Sequence, residues 1–209
     1  MSRSAFIKKG LLFTSVIITT LLTVEMAHAH RPVFTKDLAN SADTAIPMQD
    51  AQISQVVYRE ITKKSPKVWL TFSAPKDLKL FVQIGVPHID RLKDFRPAMV
   101  VIGPGLPQDN PPFELPKGMG FKLLETDKVE KPRFFHEHFT NTDSWILRGE
   151  TITLSKPGRC YLVAYSPENR SYGKLWLSIG KKEVFSRKDW KEFPKWRRMI
   201  QEFHEVKRK

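Results

Sequence analysis

The stretch KVWLTFSAPKDLKLFVQIGV, residues 67–86, decides the fold class because its apolar residues alternate with other residues. A period of two residues is typical of a β-strand that buries one of its faces. We therefore predict strands at 67–74 and 78–86. The apolar residues that share a face in these two strands are Val68, Leu70, Phe72, Leu80, Val82, Ile84 and Val86.

Short strands continue along the chain, separated by turn formers, and almost no helical period interrupts them before residue 181. Residues 98–103, AMVVIG, are a continuous apolar run, which predicts a strand buried on both faces. This pattern indicates an all-β fold, an antiparallel β-sandwich of jelly-roll type. The other predicted strands are 53–61, 120–125, 133–139, 150–155, 159–165 and 174–180.

Residues 103–118 form a long loop between two of these strands, with five prolines and three glycines. Loops of this length are often functional or cover the edge of a core. Residues 30–52 show no sustained period, and we expect an extended arm that wraps the domain. The sandwich domain is predicted at 53–180, followed by a basic tail at 181–209.

The first 29 residues have the pattern of a secretory signal peptide. Arg3, Lys8 and Lys9 precede an apolar segment at 10–24, and Ala27-His28-Ala29 fits an A-x-A cleavage site. Cleavage there would make His30 the new N-terminus and predicts a secreted or periplasmic protein. The alternative is an uncleaved N-terminal anchor.

Charge and cysteine content restrict the partners of a protein exported in this way. The 209-residue chain has a formal net charge of +13, and residues 181–209 hold 11 Lys and Arg against 5 Asp and Glu. Export makes nucleic acid an unexpected partner, so the charge favours an anionic membrane surface or cell-wall polymer. Cys160 is the only cysteine, which excludes an intramolecular disulfide, and we expect it in the core. The oligomeric state stays open.

The tail is predicted to form an amphipathic helix over 187–209. Ser186 and Asp189 resemble a capping box, and Pro194 suits the first turn of a second helical piece. Apolar side chains then recur at helical spacing beside cations, as in helices at membrane interfaces. The alternative is that the apolar stripe docks on the protein's own sandwich. The candidate membrane-contact residues are Trp190, Trp196, Arg197, Arg198, Met199, Ile200 and Phe203.

Four histidines are candidate metal ligands. An N-terminal His30 would offer an α-amine and an imidazole from one residue, a natural chelate for copper. His136 and His138 share one face of a predicted strand, whereas Glu137 between them should point the other way. His88 is a further candidate ligand. The alternative is that the α-amine of His30 forms an ion pair with an acidic side chain and that the other histidines are exposed strand residues.

No catalytic motif is present: the sequence lacks a G-x-S-x-G, a P-loop, an H-E-x-x-H and an EF-hand loop. We therefore expect a non-catalytic binding or structural protein of the cell envelope. A copper-binding protein that uses His30 is the first alternative, and a hydrolase with an unrecognised site is the second.

Two resemblances extend this interpretation. Residues 155–180 resemble the closing hairpin of pre-peptidase C-terminal domains, which are secreted β-sandwiches; the matching positions are Gly158, Tyr161, Val163, Gly173, Leu175 and Leu177. The chain also resembles a group of exported prokaryotic proteins through HRPVF (30–34), FRPAMVVIGPGLP (95–107), FFHEHFT (134–140) and GKKEVF (180–185). The second resemblance implies export and a β-rich fold, and it implies no catalytic residue.

Overall fold

The computed structural model describes residues 30–169 and 171–207, so the predicted signal peptide at 1–29 lies outside the described residues. It contains eleven strands and one α-helix in this part of the chain. The elements are β1 (Arg31–Val33), β2 (Ile46–Pro47), β3 (Gln55–Ile61), β4 (Lys67–Ala74), β5 (Leu78–Pro87), β6 (Ala98–Gly103), β7 (Gly120–Leu124), β8 (Arg133–Glu137), β9 (Thr142–Leu154), β10 (Gly158–Tyr165), β11 (Gly173–Ile179) and α1 (Arg187–Phe203).

The strands form two sheets, which confirms the all-β sandwich. A six-stranded sheet has the order β1-β3-β11-β5-β9-β8, and a five-stranded sheet has the order β2-β4-β10-β6-β7. The pairings are antiparallel except for β1 with β3 and β2 with β4, which are parallel. The N-terminal arm thus adds a short edge strand to each sheet.

The main core lies between the sheets and follows the alternation seen in the sequence. Leu70 of β4, Ile84 of β5 and Leu177 of β11 are fully buried there. Burying one such side chain contributes about 1.5–3 kcal/mol to stability. Cys160 of β10 also lies in this core, as expected, and burial raises the pKa of its thiol to about 11.

The proline-rich loop covers the outer face of the five-stranded sheet. Phe113 of the loop packs edge-on against Trp69 of β4, with 5.6 Å between ring centroids. Val100 and Ile102 of β6 are completely buried on this side, and their neighbours in the strand face the main core. Burial of β6 on both faces is therefore confirmed, and the loop provides the second cover.

Strand β9 differs most from the sequence-based prediction, because it begins at Thr142 and not near residue 150. The pairing of β5 with β9 shifts register between Ile84 and Gly85, which leaves Leu147 without a partner. Such a bulge reverses which residues face inward, so no single period of two runs through β9. The segment before the bulge therefore lacked a recognisable strand pattern.

Helix α1 begins where the sequence predicts and ends earlier. The Ser186 hydroxyl accepts a hydrogen bond from the Asp189 backbone N–H, and the Asp189 carboxylate accepts one from the Ser186 N–H, which confirms the capping box. Pro194 lies inside this single helix, so the prediction of a second helical piece is wrong. Among residues 30–169 and 171–207, no helix is both long and apolar enough to cross a membrane.

Candidate functional site

A cavity of about 610 Å³ lies on the outer face of the six-stranded sheet. Its floor is apolar and consists of Val56 from β3, Ile146 from β9 and Trp176 from β11. Phe135 of β8 and Tyr58 of β3 pack against this apolar floor. Residues outside the strands complete the lining: His30, Gly180, Lys181, Glu183 and His204.

Strand alternation explains why these side chains reach the cavity. Leu175 and Leu177 of β11 face the main core, so Trp176 between them faces outward. Gly85 of β5 lies directly opposite Trp176, and a Cβ atom at this position would collide with the indole ring. The absence of a side chain at Gly85 is therefore what leaves room for the cavity floor.

A hydrogen-bonded chain crosses one side of the cavity. Trp176 Nε1–H donates to Ser144 Oγ over 3.1 Å, and Ser144 Oγ lies 3.1 Å from His204 Nε2. His204 Nδ1 lies 2.9 Å from the Ile200 carbonyl, which can only accept, so Nδ1 carries the proton. Burial lowers the pKa of His204 and favours the neutral ring, so the Ser144 hydroxyl donates to Nε2.

This contact has the geometry of a serine beside a base, which is the feature that the hydrolase alternative requires. Ser144 is buried, and its oxygen already accepts the Trp176 N–H. The Nδ1 side of His204 meets a backbone carbonyl where a hydrolytic triad has a carboxylate. The arrangement favours a structural role, in which the chain fastens the end of α1 to β9 and β11.

The carboxylate of Glu137, which lies at the same end of the cavity as Ser144 and His204, is held by the β8–β9 turn. Glu137 accepts hydrogen bonds from the backbone N–H groups of Phe139, at 3.0 Å, and Thr140, at 2.7 Å, and also from the Thr140 hydroxyl. Burial raises the pKa of Tyr58 far above its usual value, and the negative charge of Glu137 raises it further. Tyr58 therefore remains a neutral phenol.

Two cations line the opposite end of the cavity, near Phe81 and Gln83 of β5. The Lys181 ammonium lies 4.4 Å from the centroid of the Phe81 ring. Arg133 lines both this cavity and an adjoining depression of about 340 Å³, and Phe81 and Gln83 also line both. Within the described part of the chain, no ion pair joins Arg133 or Lys181 to a carboxylate.

The predicted metal ligands fall in three places. His30 lines the cavity, with Nδ1 hydrogen-bonded to the Ser54 hydroxyl. His136 and His138 contact each other, with ring centroids 4.8 Å apart, and His136 Nδ1 lies 2.6 Å from an Asp143 carboxylate oxygen. Neither of these two lines the cavity, whereas Glu137 between them does.

His88 packs on Trp145 and Phe134 at the edge of the sheet, with centroid distances of 4.3 and 5.3 Å. Across residues 30–169 and 171–207, no three His, Cys, Asp or Glu side chains are placed to share a metal ion. The structure therefore does not bring His30 together with the other three histidines, and copper binding stays a prediction.

Helix α1 docks on the sandwich through part of the predicted apolar stripe. Ile200 is 5% exposed, and the Phe203 ring lies 5.2 Å from the Tyr58 ring in an edge-on contact. Gln201 donates a hydrogen bond to the Thr140 carbonyl at 2.8 Å. Trp196 and Met199 are half-buried. These contacts match the alternative in which the stripe packs on the protein itself.

Ion pairs fasten both ends of the helix. At the start, Arg31 of β1 lies 3.4 Å from Asp189. Beyond the last turn, Glu205 pairs with Arg91 at 2.5 Å and with Lys174 at 2.7 Å. Hydrogen bonds from these two cations lower the pKa of Glu205 to about 2.

Helix α1 and the segment just before it leave an aromatic and basic surface exposed. Trp190 is 63% exposed, and its ring lies 4.8 Å from Phe193, which in turn contacts Phe139 and Trp196. Val184, just before the helix, is 42% exposed. Exposed cations lie along the helix beside them; we call Trp190, Val184 and these cations the helix surface. The cations are Arg187, Lys188, Lys191, Lys195, Arg197 and Arg198.

Sequence reasoning missed most of the cavity. Ser144, Trp176 and His204 lie far apart in the sequence and form no motif, so only the sheet pairing and the docking of α1 bring them together. One signal was available: Trp176 occupies an outward position of a strand, where polar residues are the rule. A large aromatic residue there indicates that something covers it.

No protein-family model matches the chain, and no curated protein matches it. Among solved structures, the chain is similar to the pre-peptidase C-terminal domain of collagenase from Bacillus anthracis, with 11% identity and a TM-score of 0.36. That match covers 65% of this chain and 93% of the collagenase domain. The sandwich described above rests on the strand pairing of this chain alone.

Proposed function

We propose that the protein is an exported, non-catalytic binding protein of the cell envelope that attaches to an anionic membrane through the helix surface. The observation that carries this proposal is the exposed Trp190 beside a row of exposed cations on α1. Tryptophan favours the boundary between lipid and water, and cations favour an anionic surface. The signal-like pattern at 1–29 supports export.

The contact assigned to lipid differs from the apolar stripe expected from the sequence. Ile200 and Phe203 contact the sandwich and are not free to enter a membrane. We therefore propose that Trp190 and Val184 contact the lipid, and that the exposed cations provide the electrostatic attraction to the membrane. Of these cations, Lys195 lies 3.4 Å from Glu192 and contributes less than the others.

The experiment is sedimentation of the purified protein with vesicles of phosphatidylglycerol mixed with phosphatidylcholine, and with vesicles of phosphatidylcholine alone. We expect binding to the anionic vesicles, little binding to the neutral ones, and weaker binding at high salt. Each cation near the surface contributes about 1 kcal/mol, so Lys188→Gln with Lys191→Gln should weaken binding about 30-fold.

The matched control is Lys63→Gln with Lys64→Gln, which removes the same charge from the exposed turn between β3 and β4. Equal losses of vesicle binding in the two double variants would show that binding depends on the net charge of the protein and not on the helix surface. That result would refute the proposal. Binding to isolated cell-wall polymer without binding to vesicles would also refute it, in favour of a polymer partner.

A further inference from the structure

We propose that the cavity on the six-stranded sheet binds an amphipathic organic anion, with the apolar part of the ligand on Trp176 and its acidic group near Arg133 and Lys181. This proposal is independent of membrane attachment, because no residue of the helix surface lines the cavity and the ligand is free in solution.

The size and lining of the cavity suit a small ligand. Ligand sites typically enclose about 300–1,000 Å³, with mostly apolar walls and a few polar groups that fix the orientation. The volume of about 610 Å³ lies within that range. Trp176, Ile146 and Val56 provide a continuous apolar floor, and Phe135 packs against it. The ligand therefore needs a substantial apolar part, a chain or a ring.

The cavity is lined by two cations, Arg133 and Lys181, and by two carboxylates, Glu137 and Glu183, so the placement of these groups, and not their sum, determines the sign of the ligand. The carboxylate of Glu137 already accepts three hydrogen bonds from the β8–β9 turn, so its charge is stabilised by the protein. The cations at the other end, Arg133 and Lys181, have no carboxylate partner within the described residues. An acidic group is the chemistry that these two cations would recognise.

The orientation of the ligand follows from the positions of the cationic end and the apolar floor of the cavity. Phe81 and Gln83 border both Arg133 and Lys181, so the acidic group should lie over this part of β5. The apolar part then extends over Trp176 towards Tyr58 and His204. Both of these groups are held neutral by burial, and the carboxylate of Glu137 beside them is hydrogen-bonded to the β8–β9 turn, so Tyr58 and His204 do not oppose an apolar ligand.

The test compares two probes with the same twelve-carbon chain and opposite charges, laurate and dodecyltrimethylammonium, each below its micelle concentration. Isothermal titration should show one laurate bound per protein, with at least about tenfold weaker binding of the cation. Equal affinity for the two probes, or no binding of laurate, would overturn the proposal.

Variants and spectra locate the site. Arg133→Gln and Lys181→Gln should each weaken laurate binding about tenfold, whereas the exposed turn variant Lys76→Gln should leave it unchanged.

In NMR spectra, laurate should shift the indole N–H signal of Trp176 and leave that of Trp69, on the other sheet, in place. Shifts confined to Trp190 or Trp196 would place the ligand on the helix and would overturn the proposal, as would unchanged affinity in both charge variants.

Discussion

At the scale of single residues, two buried serines on the outer face of the six-stranded sheet have opposite environments. Ser144 is bonded on both sides, by Trp176 and His204. Ser178 of β11 is completely buried, and its hydroxyl has no hydrogen-bond partner among the described residues. A buried polar group without a partner costs about 1–3 kcal/mol, whereas a bonded one stabilises the fold.

The same substitution should therefore have opposite effects at these two positions. Ser178→Ala removes an unsatisfied hydroxyl, and we expect the free energy of unfolding to rise by about 1 kcal/mol. Ser144→Ala leaves Trp176 Nε1 and His204 Nε2 without partners, and should lower it by about 1–3 kcal/mol. Urea denaturation of both variants measures the two changes. A loss of similar size in both would contradict the hydrogen bonding described here.

His204 makes stability depend on pH. Burial lowers the pKa of His204 in the folded protein below the usual 6.5, and the Lys174 charge lowers it further. The hydrogen bond to the Ile200 carbonyl and the charges of Asp143 and Glu137 oppose this shift. Below about pH 6.5 the unfolded chain therefore binds a proton that the folded protein does not, and stability falls as the pH is lowered. Melting temperatures from about pH 8 to about pH 5 should show this decline. His204→Gln should flatten it, and an unchanged slope would exclude His204 as its source.

At the scale of elements, the start of α1 could be predicted from the sequence and its path could not. The capping box needs only Ser186 and Asp189 at the right spacing, so the sequence contains it completely. That Pro194 would lie within one continuous helix depends on tertiary contacts on both sides of it, which no local pattern records. The bulge in β9 is a similar case, because it depends on pairing with a distant strand.

Two substitutions in the capping box test how much each contact at the start of α1 contributes to stability. Ser186→Ala removes the hydrogen bond that the hydroxyl accepts from the Asp189 N–H and the one that it donates to the Asp189 carboxylate, and should lower the free energy of unfolding by about 1 kcal/mol. Asp189→Ala removes the two hydrogen bonds that its carboxylate accepts from the Ser186 N–H and hydroxyl, together with the contact to Arg31, so we expect a larger loss. Denaturation of both variants and of the double variant gives the comparison. An Asp189→Ala loss no larger than that of Ser186→Ala would show that the Arg31 contact adds nothing.

At the scale of the whole molecule, both sheets are covered on both faces. The proline-rich loop covers the outer face of one sheet, and α1 with the residues around His30 and Lys181 covers that of the other. The alternation of 67–74 and 78–86, together with the short strands that follow along the chain, was sufficient to predict the sandwich. The cavity was beyond prediction because its lining combines outward residues of five strands with His30 and His204, and no sequence spacing links these groups.

Removal of α1 should therefore destabilise the sandwich. A chain that ends before Arg187 loses the buried Ile200 and the Phe203 contact, and it exposes Trp176 to water. Burial of two large side chains contributes about 3–6 kcal/mol, so the melting temperature should fall by at least several degrees. Calorimetry of the truncated and full chains measures the change. An unchanged melting temperature would mean that α1 does not dock as described.

Membrane attachment through the helix surface is tested by the fluorescence of Trp190 with vesicles that contain brominated phosphatidylglycerol. Bromine quenches only nearby indoles, so the difference between the unmodified protein and Trp190→Phe isolates the signal of Trp190. We predict strong quenching of that signal, while the remaining fluorescence, which includes Trp69 and Trp176 within the fold, is preserved. Binding to the vesicles with equal quenching in both proteins, or no binding at all, would contradict the proposed attachment.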